Sequence, residues 1–135
     1  MTNSTPASEF VTDTMGLILR IEQRKLSSAA RTIFNAVEAG KAVVYIPALV
    51  LGEILYLSEK QKIGISLQDV ADYLKCYPNY KEYPMNFAVT QSAAQIADIR
   101  ELHDRLIAGT ARLLALSLIT NDSIIQTSAF VKTIW

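Results

Sequence analysis

Four carboxylates in this chain stand where chemistry could use them. Asp13 ends the apolar stretch EFVTD, Glu53 interrupts the apolar ALVLGEILYL, Asp104 opens a helix-sized stretch, and Asp122 follows the short run LITN. Each has an ordinary explanation when taken alone. Asp104 and Asp122 suit the first turn of a helix, where a carboxylate satisfies free backbone donors and faces the positive end of the dipole. Asp13 fits a turn, and Glu53 fits a solvent-facing position. Together they mean more, because carboxylates packed close repel one another unless a hard cation neutralises them. Mg²⁺ or Mn²⁺ prefers such oxygen ligands. A cation held there would lower the pKa of a bound water and neutralise negative charge that develops on a substrate, with no Lys or His required as base. His103, beside Asp104, reads more simply as a surface or supporting group.

The elements that must position these acids are legible from periodicity. EFVTDT predicts a strand ending at Asp13, and Gly16 to Lys25 carries Leu17, Ile18 and Ile21 on one helical face. Ser27 or Ser28 can cap a second helix with the stripe Ala30, Ile33, Phe34 and Val37, and Gly40 sits where a left-handed C-terminal residue is wanted. KAVVYIP is a continuous apolar strand of the kind covered on both faces. Pro47 opens the helix that carries Glu53, with Val50, Ile54 and Leu57 on its buried side. Ser66 and Asp69 form a capping-box variant for a helix through about Lys75, after which CYPNYKEYP breaks the pattern. Met85 to Val89 is expected to be a third strand, with Thr90 capping an alanine-rich helix to about Ile99. Then come the helix that begins near Asp104, the strand Leu118, Ile119, Thr120, and a closing strand in VKTIW.

Strands alternating with helices predict an α/β domain with a parallel sheet wrapped on both faces. In such sheets ligands bind beyond the carboxyl ends of the strands, where the strand order reverses. Asp13 and Asp122 end strands, whereas Glu53 and Asp104 lie near helix starts, so one sheet edge can gather all four.

With 135 residues, half of them apolar, the chain is expected to form a single domain over 1–135, residues 1–9 being a flexible tail. Thirteen basic and thirteen acidic residues cancel, so no global field attracts nucleic acid or an acidic membrane. Basic residues cluster locally, in Arg20, Arg24, Lys25 and Arg31 and again in Arg105 and Arg112, and such clusters usually form a solvated face. The lone Cys76 makes no intrachain disulfide and reads as a small buried hydrophobe. No run reaches the ~18 apolar residues of a membrane span, and no targeting pattern is visible at the start, so a cytoplasmic location is expected. The nearly uncharged IPALVLGEILYL offers more apolar surface than one helix facing a sheet needs, which predicts self-association.

The segments VTDT, LGEIL, HDRLIAGTA and LITND, in this order and rough spacing from about Phe10 to Trp135, resemble the PIN-domain nucleases, and among them the small VapC-type toxins of toxin-antitoxin pairs. DRLIAGTA running into LITND is the most specific piece. The resemblance implies a three-layer fold, a five-stranded parallel sheet with helices on both faces. It implies a divalent-metal-dependent endoribonuclease that hydrolyses RNA, with Mg²⁺ or Mn²⁺ held by Asp13, Glu53, Asp104 and Asp122. Thr14 and Thr120 would match hydroxyls that support the pocket. Arg105 and Arg112, sharing a helix with Asp104, could contact phosphate. The implied partners are RNA, a small antitoxin and further copies of the chain as a homodimer or higher oligomer. Two residues depart from the family pattern. Met15 stands where the family often has Ser or Asn, and Gly109 replaces an Ala at about 1 kcal/mol of helix propensity, which close packing against the sheet would offset. Two other readings compete: a PIN fold kept only for protein binding, which Met15 favours weakly, and a phosphoacceptor receiver domain, which wants adjacent acids at the first strand and a Lys in a late loop.

Overall fold

The computed structural model describes residues 8–135. Its centre is a five-stranded parallel sheet in the order β3-β2-β1-β4-β5, with β1 at Ser8–Thr12, β2 at Ala42–Pro47, β3 at Tyr80–Tyr83, β4 at Ser117–Ile119 and β5 at Thr133–Ile134. The chain moves outward from β1 through β2 to β3, then returns to pair β4 on the other side of β1. The order therefore reverses between β1 and β4, and a crevice opens beyond their carboxyl ends. Val11, Val44, Ile46, Leu118 and Ile119 are fully shielded, as expected of strands covered on both faces.

The helices are α1 Thr14–Ile21, α2 Ser28–Glu38, α3 Ala48–Glu59, α4 Leu67–Cys76, α5 Phe87–Ala94, α6 Leu102–Leu114 and α7 Ser123–Gln126. Ser27 caps α2 by accepting from the Ala30 amide, and Ser66 with Asp69 closes both bonds of the capping box on α4. A half-buried polar knot ties α1, α2, α4 and β3 together. The Glu38 carboxylate accepts from the Arg20 guanidinium at 2.8 and 2.9 Å, from the Tyr73 hydroxyl at 2.6 Å and from the Tyr80 hydroxyl at 2.5 Å. Those donors hold Glu38 below the usual carboxylate range against the opposing effect of burial, and Tyr73 is pushed up to about 12.

Several expectations need correction. The third strand is Tyr80–Tyr83, inside the segment read as a break, because β3 is an edge strand whose Lys81 and Glu82 face solvent and so lack an apolar signature. Met85 to Val89 is not a strand; Asn86 accepts from the Val89 amide at 2.9 Å and starts α5 there, ahead of Thr90, and α5 ends at Ala94. Helix α1 stops at Ile21 instead of Lys25, since Gln23 takes a left-handed conformation, φ 57°, without any glycine to announce it. Cys76 is exposed, not buried, because it falls at the last position of α4. Of the tail expected over 1–9, Ser8 and Glu9 belong to β1, and the remainder lies outside the described residues. Among the described residues no helix is long and apolar enough to cross a membrane.

Candidate active site

Asp13 is the first residue beyond β1. Its backbone amide donates to the Ile119 carbonyl at 3.1 Å, which ties it to β4, and its Oδ1 accepts from the Gly16 amide at 2.8 Å as the N-cap of α1. It is 8% exposed. Burial raises its pKa, the Thr120 hydroxyl and the Gly16 amide counteract, and the charges of Asp122 and Glu53 raise it further.

Asp122 stands beyond β4. Its Oδ1 accepts from the amides of Ile124 at 2.9 Å and Ile125 at 3.0 Å, so it is the N-cap of α7. Its Oδ2 has no hydrogen-bond partner among the described residues. The fully buried Thr120 supports this corner, accepting from the Asp122 amide at 3.1 Å while its carbonyl accepts from the Gln126 side chain. Capping and a place in the crevice are thus compatible, because one oxygen serves each.

Glu53 reaches the same crevice from the second turn of α3, where it accepts a short hydrogen bond from the Thr14 hydroxyl. His103 Nδ1 lies 3.6 Å from Glu53 and 3.7 Å from Glu101 on the outer rim. Asp104 sits in the first turn of α6 but does not cap it; Glu101 does, accepting from the Asp104 amide at 2.8 Å. The Asp104 carboxylate itself makes no hydrogen bond among the described residues. Its pKa is pushed up to about 6 by burial first, then by Asp122, Glu101, Glu53 and Asp13.

All four acids line one cleft of about 520 Å³. Thr14, Met15 and Asn121 complete its polar and soft rim, Leu19, Leu57 and Ile107 form an apolar wall, and Arg24 is the one cation lining it among the described residues. Met15, where the sequence lacks a polar helper, is 43% exposed at this rim. Among the described residues no three His, Cys, Asp or Glu side chains already stand close enough to share one ion. The donor set is nevertheless carboxylate oxygen throughout, with mutual repulsion to relieve, and Mg²⁺ is commonly bound through one or two carboxylates plus waters. The residues fit a hard divalent cation held in that looser way.

Arg105 and Arg112 do not join the cleft. Arg105 donates to the Ala93 and Ala94 carbonyls at 2.9 and 3.2 Å, closing the end of α5. Arg112 donates to the Phe130 carbonyl at 3.1 Å and to Gln95, and stacks over the Phe130 ring. Sequence reasoning missed Glu101 as a cap, Asn121 as a rim residue and Arg24 as a cleft residue. Only Arg24 had left a signal, as part of the early basic cluster.

The PIN domain model matches residues 10–131 of the chain. No curated protein matches its sequence. Among solved structures, a chain of VapBC2 from Rickettsia felis bound to a DNA fragment from its promoter superposes with a TM-score of 0.70 at 16% identity, over 94% of this chain and 98% of that one. A chain of DNA-bound VapBC from Salmonella typhimurium gives 0.70 at 18% identity, over 94% and 97%. FitAcB from Neisseria gonorrhoeae gives 0.67 at 18% identity, over 93% and 96%. At such identities the likeness is one of fold.

Proposed function

This chain belongs to the PIN domain family, and from that premise we propose that it is a divalent-metal-dependent endoribonuclease, the toxin of a toxin-antitoxin pair acting on RNA in the cytoplasm. The observation that carries this reading is the lining of one cleft by Asp13, Glu53, Asp104 and Asp122 beyond the carboxyl ends of β1 and β4. Asp13 and Asp122 would hold Mg²⁺ or Mn²⁺, with Glu53 and Asp104 as direct or water-mediated ligands. The bound cation would supply activation of the attacking water and neutralise charge on the phosphodiester.

The chain's own residues orient the acids and exclude water. Gly16 and the start of α7 fix one oxygen each of Asp13 and Asp122, so the remaining oxygens are held in place without reorganisation. Thr14 orients Glu53, and Thr120 does the same for Asp13 and Asp122. Asp104, raised to about 6 in the cation-free cleft by burial and the neighbouring acids and without a hydrogen bond among the described residues, would ionise as a cation binds. The apolar wall of Leu19, Leu57 and Ile107 keeps bulk water from that side.

A protein partner is supported by the outer face of α3. Leu55 and Tyr56 are exposed there, and an apolar groove of about 420 Å³ lined by Leu51, Leu55, Leu67, Val70 and Leu74 separates α3 from α4. Two similar solved structures are a toxin-antitoxin complex from Klebsiella pneumoniae and a member of the VapBC family of toxin-antitoxin systems from Mycobacterium tuberculosis, which favours a small antitoxin or a second copy of the chain as occupant.

The test is incubation of an RNA pool with wild type, Asp13→Asn and Asp104→Asn, in Mg²⁺, in Mn²⁺ and in excess EDTA. The expected outcome is cleavage by wild type with a cation and none by either folded variant. Cleavage that persists in both variants, or in EDTA, would contradict the reading.

A further inference from the structure

The early basic cluster converges on a second hollow, of about 480 Å³, between the end of α1, the start of α2 and the end of α4. Arg20, Arg24, Lys25 and Arg31 line it, and the rings of Tyr73 and Tyr77, centroids 5.0 Å apart, form its side wall. Arg20 belongs to the framework through its paired bonds to Glu38. The other three cations are exposed. Arg24 meets Glu22 at 3.0 Å in a solvent-exposed pair, worth little, while Lys25 and Arg31 meet no acceptor among the described residues. The left-handed turn at Gln23 places them: the Arg24 amide bonds back to the Leu19 carbonyl at 2.8 Å, so the chain leaves α1 abruptly and carries Arg24 and Lys25 to the rim of the hollow.

Arg24 lines both hollows, so the basic one continues the acidic one. We propose that the basic hollow binds the phosphates of the RNA strand flanking the bond held in the cleft, with the half-buried Tyr77 ring at its wall. The proposal rests on the nuclease reading. A cleft walled by four carboxylates repels the backbone it must admit, and cations beside it offset that repulsion for the adjoining phosphates. Adjacent aromatic rings favour single-stranded nucleic acid over an acidic peptide, since every base has a face to stack.

The experiment is binding of a labelled single-stranded RNA of roughly 12 nucleotides, within the usual range of such sites, by fluorescence anisotropy over a series of salt concentrations in EDTA. Wild type is compared with Lys25→Ala/Arg31→Ala and with Lys41→Ala/Lys132→Ala. The latter removes the same charge at residues that line neither hollow, before β2 and β5. Circular dichroism melts check that all three are folded. The expected result is weaker binding by Lys25→Ala/Arg31→Ala, with a log-log salt slope shallower by about 1.4 for two lost phosphate contacts, and a wild-type slope for the control pair. Equal slopes in all three proteins, or no RNA binding by wild type, would overturn the proposal. So would a polyglutamate peptide of equal charge that binds wild type as tightly as RNA and is lost in the same variant. Normal RNA binding by a wild type that never cleaves would instead overturn the nuclease reading.

Discussion

Asp104 is the carboxylate whose surroundings treat it least kindly: half-buried, without a hydrogen bond, and facing four other acids. Its folded pKa of about 6 lies above the ordinary 3.8, so between those values the folded protein binds more protons than the unfolded chain. Stability contributed by Asp104 is therefore present below about pH 4 and lost as pH rises through about 6. In cation-free buffer, thermal midpoints of wild type minus those of Asp104→Asn should fall across that window, and a flat difference would mean that Asp104 is solvated like any surface acid. Gly16 makes a second prediction. A Cβ there would meet Thr12 Oγ1 at 2.7 Å and Asp13 Oδ1 at 3.1 Å. Gly16→Ala should cost about 1–3 kcal/mol in denaturant titrations, as overpacking does, and should reduce RNA cleavage beyond what lost folding explains. That these four acids share one cleft was readable from sequence, because a carboxylate in an apolar run is anomalous and strand ends gather at one sheet edge. Glu101 left no signal, because an exposed Glu is ordinary, and the basic cluster that holds Arg24 did not say which hollow it faces.

At the scale of elements, what could be read was what is buried. Strands β1, β2 and β4 and the caps at Ser27 and Ser66 follow from apolar runs and hydroxyl spacing. The edge strand β3, the start of α5 and the ends of α1, α3 and α6 did not. Those helices close with Gln23, Gln61 and Ala115 in left-handed conformations, where no glycine marks the stop. Gly109 in α6 also had its packing partner misassigned. It approaches α5, not the sheet: an added Cβ would lie 2.9 Å from the Ala93 amide nitrogen and 3.0 Å from its Cα. Since the obstacle is backbone, Gly109→Ala should destabilise the protein by about 1–3 kcal/mol although it gains about 1 kcal/mol of helix propensity. A urea midpoint above that of wild type would show that α5 yields to the methyl.

For the whole molecule, the exposed Leu55 and Tyr56 on α3 predict association between copies or with a partner. Sedimentation of the purified chain should shift to larger species with concentration, and Leu55→Glu/Tyr56→Lys should hold it as a monomer; an unshifted monomer for wild type would remove self-association. The central claim is that the four acids act as one cation site rather than as separate caps and turn residues. Asp122 discriminates, since it caps α7 through Oδ1, a bond an Asn oxygen can reproduce. The direct measurement is thermal melting of wild type, Asp122→Asn and Asp122→Ala in EDTA and in Mn²⁺. The account predicts that Asp122→Asn melts at or above wild type in EDTA, where repulsion is relieved, and that Mn²⁺ raises wild type more than either variant, because an ion that binds only the folded state stabilises it by mass action. A wild type indifferent to Mn²⁺, with both variants melting lower by similar amounts in either buffer, would contradict it.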